Sequence, residues 1–125
     1  MKTLLRRFGL ILVALGAMTA GAHAQTLHTG TWTGSIVDPG GDEAAVTYEV
    51  SLSGDTLKIE LKVPEGPSFQ FSNIHFQEGK LMFTWMANIS IDCVLDPADA
   101  GSYTGTCTDS SGASGHMTML PPTDG

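Results

Sequence analysis

Apolar and polar residues alternate with a period of two along most of the chain beyond residue 30. The cleanest run follows Ala44. Val46, Tyr48, Val50 and Leu52 share one face; Thr47, Glu49, Ser51 and Ser53 share the other. Such alternation marks a half-buried β-strand, because successive side chains of an extended chain point to opposite faces. After a Ser53-Gly54-Asp55 turn, Leu57, Ile59, Leu61 and Val63 repeat the pattern, with Lys58, Glu60 and Lys62 outside. The two runs predict a hairpin that brings Glu49 near Lys58 or Lys62.

The same reading extends in both directions. Gly30-Thr31-Trp32-Thr33-Gly34-Ser35-Ile36 opens the series and runs to about Val37, where Asp38-Pro39-Gly40-Gly41-Asp42 turns the chain. A fourth run places Phe69 and Phe71 on one face, but Ile74 and Phe76 have the other parity. One extra residue near Ser72-Asn73 restores the phase, which predicts a β-bulge there. The fifth run buries Leu81, Phe83, Trp85 and Ala87, and Met82 and Met86 make its other face apolar too. That predicts a covered or partner-binding patch. Ile89, Ile91, Cys93 and Leu95 form the sixth run after a turn at Ala87-Asn88. Tyr103, Gly105 and Cys107 follow the Asp96–Gly101 loop, and Gly115 to Leu120 is last, after Asp109-Ser110-Ser111-Gly112.

No helical period of useful length survives beyond the first two dozen residues. Eight short strands with short turns predict an all-β fold: an eight-stranded antiparallel up-and-down (meander) barrel. Closing the last strand onto the first removes both edges. At eight strands the interior is either filled by side chains or holds one small ligand.

The cysteines sharpen this layout. A hairpin centred on Ala100 sets Cys93 opposite Cys107 and Leu95 opposite Gly105. Directly opposed side chains approach closely enough for a bridge. A Cys93–Cys107 disulfide is therefore expected, as a rung that pins register. The separation of 14 does not suit a C-x-x-C redox pair.

Compartment comes from residues 1–24. Lys2, Arg6 and Arg7 precede the apolar run Phe8–Met18, and Ala22-His23-Ala24 resembles a cleavage site. This reads as a secretory signal peptide; the run is too short to span a membrane. No cysteine lies beside the cleavage point, so no membrane anchor is expected. The protein is then exported, periplasmic or extracellular, which suits a disulfide. Residues 25–125 form a single small domain, expected to be monomeric, with a polar and mobile lead at Gln25–Thr29. Beyond residue 24 three lysines and no arginine stand against thirteen acids, a net charge of −10. That speaks against nucleic acid and anionic membrane surfaces as partners.

Gly30-Thr31-Trp32 resembles the G-x-W of lipocalins and related calycins, and the whole segment resembles the G-x-W-x-G opening of small secreted barrels. The resemblance implies a tryptophan on the first strand that packs across the closed end of an eight-stranded barrel. It also implies a binding function. Lipocalins usually back that tryptophan with an arginine near the last strand, and here none is present beyond residue 24.

No serine sits in a G-x-S-x-G elbow, and the acids fall in turns or on outward faces, Asp92 included. No catalytic residues, metal ligands or cofactor are assigned. His116, Met117 and Met119, with Met82 and Met86, have the donor types that Cu(I) accepts, although methionine more often fills cores. His28 and His75 are read as solvated. Two functions follow. One is a non-catalytic binding module for a small apolar ligand, held by Trp32, Tyr48, Phe71, Phe83 and Trp85. The other is a protein-binding barrel, such as an inhibitor of a protease or other hydrolase, with residues 25–29 entering the target. The large side-chain load points to a filled interior and to binding at the surface or rim.

Overall fold

A computed structural model describes residues 27–123; the expected signal peptide and its cleavage point lie outside them. Among the described residues nine strands follow in order: β1 Gly30–Val37, β2 Glu43–Ser53, β3 Thr56–Lys62, β4 Ser68–Gln70, β5 Ser72–Gln77, β6 Lys80–Met86, β7 Ser90–Pro97, β8 Tyr103–Asp109 and β9 Ser114–Leu120. One 3₁₀ turn, Asp99–Gly101, lies between β7 and β8. All pairings are antiparallel, in the sheet order β4-β3-β2-β1-β9-β8-β7-β6-β5. First and last strands pair, and the two sheet ends, β4 and β5, are neighbours in sequence. The result is a nearly closed up-and-down barrel.

The ninth strand arises because the fourth run changes partners midway. Ser68–Gln70 pairs with β3, and Ser72–Gln77 pairs with β6. Phe71 is the switch, its N–H donating to the Ile59 carbonyl at 2.9 Å. The expected bulge sits just beyond. Ser72 faces Thr84 but His75 faces Met82, so β5 has one residue more than β6 over this interval. Asn73 takes the extra step at φ 54°, a left-handed conformation that asparagine tolerates better than most residues.

Register follows the alternation elsewhere. Val46, Tyr48, Val50, Ile59 and Leu61 are buried. Leu52 departs from it at 53% exposure, because it lies at the end of β2, where the wall opens. Glu49 pairs with Glu60 and accepts from the Thr31 hydroxyl at 2.9 and 3.0 Å, so neither lysine is its partner. The ion pair found among the described residues is Lys80–Asp96. Cys93 stands opposite Cys107, and Leu95 opposite Gly105, with the disulfide formed.

An up-and-down barrel has two distinct ends. Gly30, Tyr103 and Leu120 lie toward one; Val37, Met86, Asp109 and Ser114 lie toward the other. Trp32 belongs to the first end and Trp85 to the second.

Candidate functional site: two barrel ends and an open seam

At the first end, the G-x-W-x-G segment explains itself physically. Trp32 is 1% exposed and packs against Tyr103, ring centroids 6.4 Å apart. Its Nε1–H donates to the His28 carbonyl at 2.9 Å. Leu27 is buried in the core. The lead was expected to be mobile; Leu27 and His28 instead close this end, because an apolar side chain and a buried indole N–H both gain by engaging. Gly34 carries the second requirement. A Cβ there would lie 1.8 Å from the Thr118 oxygen and 3.1 Å from the Tyr48 ring. Without one, strands β1 and β9 approach closely. Tyr48 reaches past them to donate its hydroxyl to the Thr118 carbonyl at 3.0 Å. Burial pushes the Tyr48 hydroxyl well above the ordinary tyrosine range.

The five aromatics predicted to line a ligand are all buried. They pack largely on one another. Phe71 stacks on Phe83 with centroids 4.1 Å apart and planes 7° from parallel. Tyr48 lies 6.3 Å from Phe71, and Trp85 6.1 Å from Phe71. Phe69, half-buried, sits edge-on to Trp85 at 5.1 Å. These rings, with Met117 and Met119 at 0% exposure, occupy the interior.

Besides a pocket of about 360 Å³ at the Trp32 end, lined by His28, Thr29, Ala100, Gly101, Pro121 and Pro122, two openings border the buried rings Phe71 and Trp85. The first is a seam in the wall. Thr56–Lys58 of β3 pair only with β2, and β5 pairs only with β6. Between them lies a cleft of about 480 Å³, bordered by Leu52, Leu57, Lys58, Phe71, Ile74 and His75. His75 Nδ1 is 2.8 Å from the Asn73 carbonyl, on which it donates.

The second opening is at the Trp85 end. A pocket of about 130 Å³ is lined by Ile36, Val37, Pro39, Trp85, Ile91, Cys107 and Ala113, with Asp38, Asp109, Gly115 and His116. Trp85 is 8% exposed, and its Nε1 is the one buried side-chain polar atom without a hydrogen-bond partner among the described residues. Two turns of the same design frame the pocket. In Asp38–Asp42, the Asp38 carboxylate accepts from the Gly40 and Asp42 amides, each at 2.9 Å. In Asp109–Ala113, the Asp109 carboxylate accepts from Ser111 N–H (2.9 Å), Ser111 hydroxyl (2.6 Å) and Ala113 N–H (3.1 Å). Each turn closes with a backbone bond from its first residue to its fifth, at 2.9 Å. The Ser111 hydroxyl, helped by the backbone amides, holds the Asp109 carboxyl below its ordinary range against a smaller desolvation effect. Both carboxylates are thus committed to their own turns.

Of the predicted five, Trp85 alone borders this pocket; Trp32, Tyr48, Phe71 and Phe83 do not. The lining residues missed from sequence include Ile36, Pro39, Ile91, Asp109 and Ala113. The available signal was the repeated spacing of Asp38 to Gly41 and Asp109 to Gly112, which marks two equivalent turns but not that they meet.

The soft-metal set does not converge. Met117 and Met119 point inward, whereas His116 is exposed and lies 2.8 Å from the Thr104 hydroxyl. Asp92 points outward as expected, accepting from the Thr84 hydroxyl at 2.7 Å. The apolar outer face of β6 exists: Met86 is 62% exposed, and Met82 pairs with the exposed Val94.

No known family pattern and no curated protein matches the chain. Among solved structures, it is similar to a redesigned β-barrel, with a TM-score of 0.55 and 13% identity. The match covers 76% of this chain and 91% of that one, and it bears on the fold alone.

Proposed function

We propose that the chain is an exported, non-catalytic binding module of lipocalin-like fold that takes its ligand at its openings and not in the barrel interior. One observation carries this. The predicted ligand-lining rings pack against each other, with Phe71 and Phe83 in stacking contact, while the seam and the Trp85 pocket remain open at the surface. The Trp32 plug supports the lipocalin-like element, since it sits on the first strand and closes an end. The disulfide is compatible with export. The inhibitor alternative needs a free lead, and Leu27 and His28 are engaged with the barrel.

Amide shift mapping tests the proposal. The panel is small neutral aromatics, decanoate and a tripeptide. Expected changes cluster around residues 52–58 and 70–76, or around Trp85 and its two flanking turns. Largest changes at Tyr48, Phe83 and Met117 would place the ligand inside and overturn the reading. No response to any probe would also overturn it.

A further inference from the structure

The sheet stops short of closing, and no strand among the described residues pairs across the gap between β3 and β5. Register tells which peptide groups face that gap. Phe71 N–H donates to the Ile59 carbonyl, so the Ile59 peptide points to the seam side of β3. Backbone groups alternate in direction along an antiparallel strand. Leu57, two residues earlier, therefore turns its N–H and carbonyl the same way, past the last residue that pairs with β4. On β5, the Glu78-Gly79 turn sets Gln77 opposite Lys80. A two-residue hairpin loop joins residues that bond to each other, so Gln77 and His75 face β6. Ile74 and Phe76 then present their peptide groups to the seam. Native sheets guard such edges with charge, proline, a bulge or a covering segment. The Asn73 bulge bends only the start of β5. Ser72–Gln77 holds no proline, lysine, arginine, aspartate or glutamate. Ile74 and Phe76 are half-buried and border the cleft with Leu57 and Phe71.

We propose that the seam takes up an extended peptide segment of a partner protein, which adds to the β5 edge as a further strand and lays alternate apolar side chains into the cleft. Each part of that description has a cause. The extended form follows from the edge itself: a row of alternating donors and acceptors is matched by another extended backbone. The length follows from Ile74–Gln77, four residues or ~13 Å of strand. The apolar side chains follow from Leu57, Phe71, Ile74 and Phe76 at a cleft of about 480 Å³, a volume within the usual range of ligand clefts, ~300–1,000 Å³. The partner's charge follows from the whole chain. Asp55 and Lys58 offset each other at the cleft, but the net charge of −10 beyond residue 24 attracts a segment with basic flanks and repels a second copy. The inference rests on the rim-binding reading above and names the partner class at one of its openings.

The probe is the peptide acetyl-Lys-Thr-Val-Thr-Val-Thr-Lys-amide, and its control is the same peptide with the backbone nitrogens methylated. The protein is expressed from the complete chain and labelled with ¹⁵N. Saturating peptide should slow hydrogen exchange at the Ile74 and Phe76 amides at least tenfold and change His75 and Gln77, already bonded to β6, much less. The methylated control should bind at least tenfold more weakly, the usual net value of one hydrogen bond or more. Ile74→Lys sets a charge in the cleft against the probe's own lysines and should also weaken binding at least tenfold. The exchange pattern uses the unaltered chain, so it decides the case even if that variant fails to fold. No binding of the peptide, equal binding of the control, protection at His75 and Gln77 instead, or unimpaired binding to Ile74→Lys each overturns the proposal. So does full protection of Ile74 and Phe76 without peptide, which would mean that the chain covers its own seam, or protection that rises with protein concentration alone, which would mean a second copy. If small aromatics or decanoate shift the seam while the peptide is ignored, this inference fails and the rim reading stands. Shifts throughout the interior sink both.

Discussion

The barrel has two ends, each with a tryptophan, and they are finished differently. At the Trp32 end the chain's own lead serves as the lid: Leu27 is buried and the His28 carbonyl takes the indole N–H. At the Trp85 end no segment plays that part among the described residues. Two turns stand around an apolar pocket that Trp85 borders, and the buried Trp85 indole N–H has no partner among the described residues. One end is a completed piece of core and the other is an incomplete one. The difference teaches that burial alone does not define a plug; a plug also has its polar atoms satisfied.

The largest effect should come from destroying the finished end. Trp32→Ala removes a fully buried ring from Tyr103 and its neighbours and should cost about 3–5 kcal/mol in urea unfolding. A loss below about 1 kcal/mol would mean that the end is not sealed by this residue. Next comes the rung near the other end. Replacing Cys93 and Cys107 together by Ala should cost about 3 kcal/mol, since the bridge closes a loop of about 15 residues. A thiol assay on unfolded, unreduced wild-type protein should correspondingly find no free thiol.

A smaller change probes the asymmetry itself. Trp32→Phe and Trp85→Phe make the same chemical substitution, but only the first breaks a hydrogen bond. The Trp32 variant should be less stable than the Trp85 variant by about 1 kcal/mol. If Trp85→Phe proves the costlier, the orphan N–H has no energetic meaning. The smallest effects are in the pH profile. Tyr48, near the Trp32 end, has its ionisation raised by burial. Its neutral form therefore contributes fully below about pH 10, the ordinary tyrosine value, and that stability is lost as the pH climbs further. Asp109, at the Trp85 end, is lowered, so its contribution is present above the ordinary carboxylate range and disappears as the pH falls. Tyr48→Phe should flatten the alkaline limb of a urea-midpoint profile, and Asp109→Ala the acid limb. Swapped limbs would refute the assignment.

The strand plan was largely legible because period-two alternation is a local property. Each of Val46, Tyr48, Val50, Ile59 and Leu61 announces its face through its neighbours, and all five are buried. The bulge at Asn73 was visible as a parity slip between Phe71 and Ile74. The disulfide was visible as register about Ala100. Leu52 broke the rule because alternation reports which way a side chain points, not whether the opposite wall is there to meet it. The lead misled for a related reason. A run of four polar residues around one leucine carries no periodic signal, yet Leu27 has a barrel end to fill.

The candidate site was legible only in part. Large aromatics on inward faces identified Trp85 at one opening and Phe71 at the other, but equally Trp32, Tyr48 and Phe83, which line neither. Which of them reaches an opening depends on how far along the barrel axis each strand places it.

By itself, then, the sequence determined the strand succession, the inward faces, the bulge and the disulfide partner, because each is set by neighbours a few residues away or by symmetry about one turn. Only the tertiary structure decided that the fourth run splits at Phe71 and leaves a seam, that His28 rather than an arginine completes Trp32, and that turns some seventy residues apart frame one pocket over Trp85. Those outcomes depend on closure of the sheet, which brings β1 beside β9. No local pattern encodes the distance between groups that only closure makes neighbours.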